Sequence, residues 1–383
     1  MTLCLNWWKK KIDSGIQLRL SALNKKEPIL KRCALLTSIP SPYMVELIEA
    51  INSTNQWSIL PIYNDGYSTK GRLWKKPEMR HAYLVLSNGD NDKMKEVVAM
   101  ADLVATGSLW GKGVRFLLRC QKKSGKPLVL WCERPGAERR DPISIAIRRF
   151  AIGVRFGHAN AVWGIGGWAV EEYKKALPGV KQFANMPYAS NLSPYLGIPR
   201  NNTGDAKEIR FLFSGSLIYR KGVDLLVSAF LRLLADGRQV SLTLMGEGEL
   251  DSELRSLAAN TDKIMFIGFK DWNELPAVYA GHDVLVAPSR NDGWGLIVME
   301  GLAAGMPTIA TDRMGAALDF INDDENGWLI PAGDPDALYK AMKKAVAVPL
   351  YEKGVAARSS AEHWTLDKAA KKWCELADAA LKR

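Results

Sequence analysis

The chain is poor in cysteine and histidine and has no long apolar run. Its five cysteines, at positions 4, 33, 120, 132 and 374 of 383 residues, show neither zinc-ligand spacing nor a framework of paired bridges. That argues against a metal ribbon or a disulfide scaffold and for reduced thiols in a cytosolic compartment. No stretch approaches about 18 uninterrupted apolar residues, which weighs against a membrane span. Trp7 and Trp8 precede Lys9, Lys10 and Lys11, the reverse of the basic-then-apolar order of a secretory signal. RNA-recognition, zinc-finger and helix-turn-helix signatures are missing, and so is a Walker A loop. What remains is 47% hydrophobic and 24% charged. This is globular composition, and the length suits two or three domains of about 150 residues each.

Acidic residues are scarce in one half only. Residues 1–200 carry 31 Lys+Arg and 15 Asp+Glu, a net of +16, whereas residues 201–383 carry 21 and 26, a net of −5. The excess concentrates in residues 1–32, with 8 basic and 2 acidic side chains, and in residues 112–155, with 12 and 3. A basic surface of this kind suits nucleic acid, anionic lipid or a phosphorylated substrate. Trp7 and Trp8 beside the lysine triplet favour a membrane headgroup zone. In 142–158, Ile143, Ile147, Phe150 and Val154 recur at spacings 4, 3 and 4 among Arg148, Arg149 and Arg155. A lipid-facing helix and a core helix would both show that stripe.

Both halves alternate short apolar runs with amphipathic ones. Strands are predicted at 33–38, 57–63 (with Pro61 a candidate break), 83–87, 103–106, 127–132 and 161–165. After a linker of Asn, Ser, Pro and Gly at 189–208 come strands at 210–213, 241–245, 263–267, 284–287 and 308–310, with helices between them and a final helix at 367–381. This is the βαβ pattern of two doubly wound parallel sheets. Ligands in such sheets bind beyond the carboxyl ends of the strands, so two facing sheets would enclose a cleft with one basic and one mildly acidic wall.

Two segments of the second half carry the chemistry. PSRNDGWGLIVMEGLAAG (288–305) follows an apolar strand. Asn291, Asp292 and Gly293 make a turn, and Gly295 leads into a helix that begins at Leu296 and holds Glu300. Free backbone amides at the start of that helix suit a phosphate or other anion. Asp292 and Glu300 can each accept two hydroxyl hydrogen bonds, as a sugar or ribose requires; Asp292 as a helix cap and Glu300 as a surface residue fit the spacing equally. FLFSGSLIYRKG (211–222) follows the order strand, glycine, basic pair, helix. Lys221 as a point charge and Arg220 as a fork could neutralise a diphosphate, or simply form an exposed basic loop. Asp90-Asn91-Asp92 and Asp334-Pro335-Asp336 read as turn and cap residues rather than metal ligands.

Together these segments resemble the family 4 retaining glycosyltransferases, whose GT-B fold comprises two facing Rossmann-like domains. The resemblance is close over 207–345 and looser in the N-terminal half. It rests on Asp292, seven residues, Glu300 and the following Gly301-Leu302-Ala303-Ala304-Gly305-Met306-Pro307, then on Asn326-Gly327-Trp328-Leu329-Ile330. Pro40-Ser41-Pro42-Tyr43 resembles the opening loop of members acting on bacterial surface polysaccharides. Two departures are visible: Gly215-Ser216 stands where Gly-Arg is common, and Asp292 where Glu is usual, one methylene shorter.

The basic run marks an arm at 1–32; the resemblance implies an acceptor domain at 33–200, a donor domain at 207–350 and a helical segment at 351–383 that packs back on the first domain. It implies transfer of a hexose from a UDP- or GDP-linked donor to an acceptor hydroxyl, without a metal. Lys221 and Arg220 would neutralise the diphosphate, and Glu300 would bind the ribose. Asp292 with the Gly293-Trp294-Gly295 amides would hold the sugar and a β-phosphate oxygen. Gly215, Ser216, Glu247 and Leu296 complete the expected donor set. Glu133 stands where many relatives carry a histidine and could serve as a weak base toward the acceptor. The acceptor expected is a lipid-linked oligosaccharide at the inner face of the cytoplasmic membrane, with the enzyme peripheral on anionic lipid and no nucleic acid bound. A sugar-nucleotide epimerase of the same fold, a non-catalytic nucleotide-binding scaffold and a nucleic-acid-binding protein are the competing readings.

Overall fold

A computed structural model describes residues 30–65, 77–86, 91–136, 141–200 and 208–382. The 1–32 arm therefore lies outside the described residues except for its last three, and Trp7 and Trp8 lie outside them entirely. Two parallel sheets organise the chain. The first contains β1 (Lys31–Thr37), β2 (Trp57–Tyr63), β3 (Leu84–Val85), β4 (Leu103–Thr106), β5 (Leu128–Cys132), β6 (Ala161–Gly164) and β7 (Gln182–Asn185). Their spatial order is β3-β2-β1-β4-β5-β6-β7. The second contains β8 (Ile209–Ser214), β9 (Val240–Met245), β10 (Ile264–Gly268), β11 (Val284–Ala287), β12 (Thr308–Thr311) and β13 (Gly327–Ile330), in the order β10-β9-β8-β11-β12-β13.

The central strands are unbroken apolar runs because helices cover both faces of a parallel sheet; every residue of β4, β5 and β6 is buried. Pro61 does not interrupt β2. It pairs only with Leu35 of β1, and β3 joins the other side from Ile62 onward, so the proline lies where the sheet is still an edge. The 189–208 segment is less loose than its composition suggests. Leu192, Tyr195 and Ile198 are buried around the short helix Ser193–Leu196. Arg200 donates to the carbonyls of Ala304 (2.7 Å), His282 (2.5 Å) and Tyr279 (3.0 Å), satisfying acceptors that lie near helix ends in the second half.

One core fills the outer face of each sheet, and a third runs continuously from the first half to the second. The final helix, Leu366–Leu381, closes that third core against the helix Pro42–Ser53. Trp373 lies between Trp57 and Trp163, edge to face at 5.6 and 5.7 Å, contacts that contribute about 0.5–1.5 kcal/mol each beyond the buried area. Asp378 on the same helix accepts from Trp57 Nε1 (2.8 Å) and Lys31 Nζ (2.7 Å). The end of the chain is thus fastened to its first strands. The four described cysteines are buried free thiols.

Candidate active site

The carboxyl ends of the two sheets face each other across a cleft. On the second sheet, the loops after β8 and β9 lie backbone on backbone: Leu217 N donates to Glu247 O and Gly215 N to Met245 O. A Cβ on Gly246 would stand 1.9 Å from Gly215 O, so the loops can meet only with glycine there. Ser216 lies on this junction. Glu247 is exposed at its rim, and its carboxylate engages Phe269 N at 3.5 Å.

The basic turn Tyr219–Lys221 comes next, stapled to the loop after β11. Arg290 N donates to Arg220 O, and the Arg290 guanidinium forks onto Asp224 at 2.7 and 2.6 Å. Nothing in the local sequence signals that Arg290–Asp224 clamp, because its partners are 66 residues apart. It fixes the register in which Arg220 and Lys221 reach Asp292. Lys221 Nζ donates to Asp292 Oδ2 at 2.5 Å, and Arg220 Nη1 donates to Asn291 O at 2.9 Å while standing 3.6 Å from Asp292 Oδ1. The Lys221 and Asp292 side chains are each 15% exposed.

Beyond Asp292, Gly293, Trp294 and Gly295 lead into the helix Leu296–Ala303. The Trp294 indole is buried, packed on Phe320 and against Gly166 of the first half, so only its backbone is presented to the cleft. Glu300 is not a surface residue. Its Oε2 accepts from the hydroxyl of Tyr279 at 2.9 Å, and burial, with Glu46 nearby on the helix Pro42–Ser53, pushes its carboxyl up to about 7. Tyr279 and Glu46 are site neighbours that sequence spacing could not supply, since both approach from distant elements.

On the first sheet a cavity of about 500 Å³ opens at the carboxyl ends of β1, β4 and β5. These strands flank the point where the strand order reverses, the expected ligand position in a doubly wound sheet. Ser41 and Tyr43 line it, as do Trp110, Glu133, Arg134 and Tyr188. Tyr173 donates to Glu133 O at 2.8 Å and fixes that backbone. The Glu133 side chain projects into the cleft, open to solvent yet crowded by both walls. Burial and the neighbouring Asp292 raise its carboxyl, opposed by Arg220 and Lys221. Asp292, Lys221, Arg220 and Glu133 therefore gather in one place. Trp168 is not a core residue like Trp131 and Trp163. It is half-buried, with the guanidinium of Arg134 3.4 Å and that of Arg313 5.5 Å from its ring; burial and Arg313 lower the pKa of Arg134 to about 10.

Asp334 accepts from Asp336 N and Ala337 N and caps the following helix, while Asp90 lies outside the described residues. Among the described residues no group of three or more His, Cys, Asp or Glu could hold a metal ion. No described helix is long and apolar enough to cross a membrane.

Two parallel sheets facing each other across a cleft define the GT-B fold. The crystal structure of Anabaena Alr3699/HepE in complex with UDP superposes with a TM-score of 0.73 at 15% identity, covering 91% of this chain and all of that one. The apo lipopolysaccharide outer core galactosyltransferase WaaB superposes at 0.68. Residues 198–364 match the family model "Glycosyl transferases group 1". Sequence relatives include the lipopolysaccharide core biosynthesis mannosyltransferase LpsB of Rhizobium meliloti, 32% identical over 158 residues (38% of this chain, 43% of that protein). They also include the GtfA subunit of a UDP-N-acetylglucosamine–peptide N-acetylglucosaminyltransferase of Streptococcus pneumoniae, 30% identical over 144 residues (38% and 28%). The chain spans less than half the length of these curated relatives.

Proposed function

We propose that the protein is a nucleotide-sugar-dependent glycosyltransferase of the family 4 retaining type. It moves a hexose from a UDP- or GDP-linked donor to a hydroxyl of a lipid-linked oligosaccharide. The observation that carries this reading is the meeting of Lys221, Arg220 and Asp292 on one wall with Glu133 on the other. The Anabaena neighbour's complex with UDP favours a uridine donor, and the Rhizobium relative's part in lipopolysaccharide core synthesis favours a surface-polysaccharide acceptor.

In this reading residues 33–200 hold the acceptor and 207–350 the donor. Glu300 accepts from the ribose hydroxyls. Lys221 exchanges Asp292 for the diphosphate and, with Arg220 and the 293–295 amides, stabilises the negative charge that builds as the sugar–phosphate bond breaks. The acceptor oxygen attacks the anomeric carbon on the face the diphosphate leaves, so configuration is retained. Glu133, made more basic by its surroundings, accepts a hydrogen bond from that hydroxyl and, as the hydroxyl oxygen bonds to the anomeric carbon, takes its proton. Arg220, Lys221 and the amides are expected to supply the neutralising charge without a metal. The enzyme works peripherally at the inner face of the cytoplasmic membrane.

Thermal shift against UDP, GDP, CMP and ADP and their common sugar conjugates tests the donor half, because binding to the folded state alone raises the midpoint. One nucleotide should give a clear shift that Lys221→Ala and Glu300→Ala abolish. No shift with any of them would overturn the reading. Turnover of a sugar nucleotide with no acceptor present would assign the site to an epimerase instead.

A further inference from the structure

The helix Pro142–Phe156 turns its apolar stripe outward. Ile143, Ile147, Phe150 and Val154 are 73, 64, 74 and 70% exposed, and only Ile152 and Phe156 of the helix are buried. A surface helix ordinarily faces such a stripe to the core. Four large apolar side chains stacked at successive turns form a contiguous patch, and patches of that kind mark interaction surfaces.

Charge selects the occupant. The helix carries Arg148, Arg149 and Arg155 and no acidic residue. The helix Lys112–Ser124, packed on the same core, exposes Lys112, Arg115, Arg119, Lys122 and Lys123. Arg149 is paired with Glu172 at 2.8 Å, but the basic excess of 112–155 remains. A second copy laid against this face would oppose arginine to arginine. The chain's own basic N-terminal segment would bring like charge as well. An anionic lipid surface fits both features, with apolar side chains at the acyl boundary and cations among the headgroups.

The patch also borders the cavity of the first sheet. Arg155 Nη1 donates to Leu109 O at 3.1 Å, and its guanidinium lies 4.7 Å from the ring of Trp110, which is 44% exposed. The Arg148 guanidinium packs directly on Gly136. Leu109, Trp110 and Gly136 all line the cavity.

We propose that the helix Pro142–Phe156 is a membrane-docking element. It lays Ile143, Ile147, Phe150 and Val154 into the interface of an anionic bilayer and brings the mouth of the Glu133 cavity to a lipid-anchored acceptor. The statement about the acceptor rests on the transferase reading; the docking stands on exposure and charge alone.

Co-sedimentation of the full chain with vesicles of phosphatidylcholine alone and of phosphatidylcholine with phosphatidylglycerol tests it. The wild type should be recovered with the anionic vesicles. The double variant Ile147→Ser/Phe150→Ser should lose about ten-fold or more in apparent affinity while keeping its nucleotide-induced thermal shift. An environment-sensitive dye on Phe150→Cys should shift to the blue with anionic vesicles only, which separates insertion from attraction through the N-terminal arm. Equal recovery of wild type and double variant, equal recovery with both vesicle types, or an unshifted dye overturns the proposal. A wild-type dimer in light scattering that the double variant dissociates overturns it too, by assigning the patch to a second copy. None of these outcomes alters the donor assay, so docking and transfer fail separately.

Discussion

Glu133 and Gly293 touch across the cleft: a Cβ added to Gly293 would stand 1.8 Å from Glu133 Oε2. The two residues are 160 positions apart, one at the end of β5 and one in the loop after β11. Gly293 leaves the space that lets a carboxylate of the first half reach the ion cluster of the second. Gly293→Ala must displace Glu133 or part the walls. The expected result is a loss of about 100-fold in kcat, the scale set by displacing a reacting group by about 1 Å, with the nucleotide-induced thermal shift kept. Glu133→Gln, which preserves shape and removes the base, should lower kcat without moving the Kd for donor. Steady-state kinetics beside donor titration checks both; a Gly293→Ala enzyme with wild-type kcat would remove Glu133 from the reaction.

Glu300 supplies a pH dependence whose sign is fixed. Burial lifts its carboxyl from the ordinary 4.5 to about 7, so the folded state favours the protonated form. As pH rises from 4.5 to about 7 the unfolded chain ionises first, and the wild type loses stability relative to Glu300→Gln across that window. In the proposed role binding runs the other way, because a ribose hydroxyl needs the carboxylate as acceptor. UDP affinity should therefore rise through about pH 7 in the wild type more than in Glu300→Gln. Titration of UDP's own phosphate is common to the two proteins and cancels in their ratio. Parallel curves in calorimetry would show that Glu300 does not meet the ribose.

Most strands were legible because parallel strands buried on both faces read as short apolar runs, whereas the edge strands β7 and β13 were not predicted; the loops carrying Arg220, Lys221 and Asp292 were legible because the fold delivers whatever follows such a strand to one edge of the sheet. Arg220, Lys221 and Asp292 lie within a few residues of strand ends, which is why they can be found without coordinates. The Arg290–Asp224 clamp, the approach of Glu46 to Glu300 and the contact of Glu133 with Gly293 depend on how two βαβ units face one another, and no local pattern encodes that. Trp168 shows the same limit: its type suggests core, and only its position between Arg134 and Arg313 says otherwise. Periodicity found the stripe Ile143, Ile147, Phe150 and Val154 but could not say which way it points, since a spacing of 3.6 residues is the same toward core or solvent.

Lys221 and Asp292 are each other's partner at 2.5 Å, and in the proposed reaction a diphosphate takes the place of Asp292. Removing one member of a mostly buried pair costs up to about 3–5 kcal/mol. Arg220 stands 3.6 Å from Asp292, so Lys221→Met should cost less than that. Denaturant unfolding of Lys221→Met, Asp292→Asn and the double variant should give a coupling of about 1–3 kcal/mol. Lys221→Met should also lose the UDP shift, whereas Asp292→Asn should keep it and weaken only the sugar-bearing donor. Additive unfolding energies would mean that the pair does not form in solution.

Asp319 is a polar latch between the halves, beside the site. Its carboxylate accepts from Gly167 N at 3.0 and 3.1 Å and from Asn185 Nδ2 at 2.7 Å. Gly167 opens the helix Gly167–Ala176, so the carboxylate also meets the positive end of that helix. Beside it the Trp294 ring packs on Gly166, which joins the latch to the 293–295 loop. Hydrogen bonds to a charged group contribute about 1.5–3 kcal/mol each, enough to bias the angle between the sheets without determining either fold. Asp319→Ala should therefore leave nucleotide binding and both cores intact, raise the radius of gyration in small-angle scattering and lower kcat/KM by about ten-fold or more as Glu133 withdraws from Gly293. Unchanged scattering together with wild-type kcat/KM would show that Trp294 and the shared core hold the cleft without it.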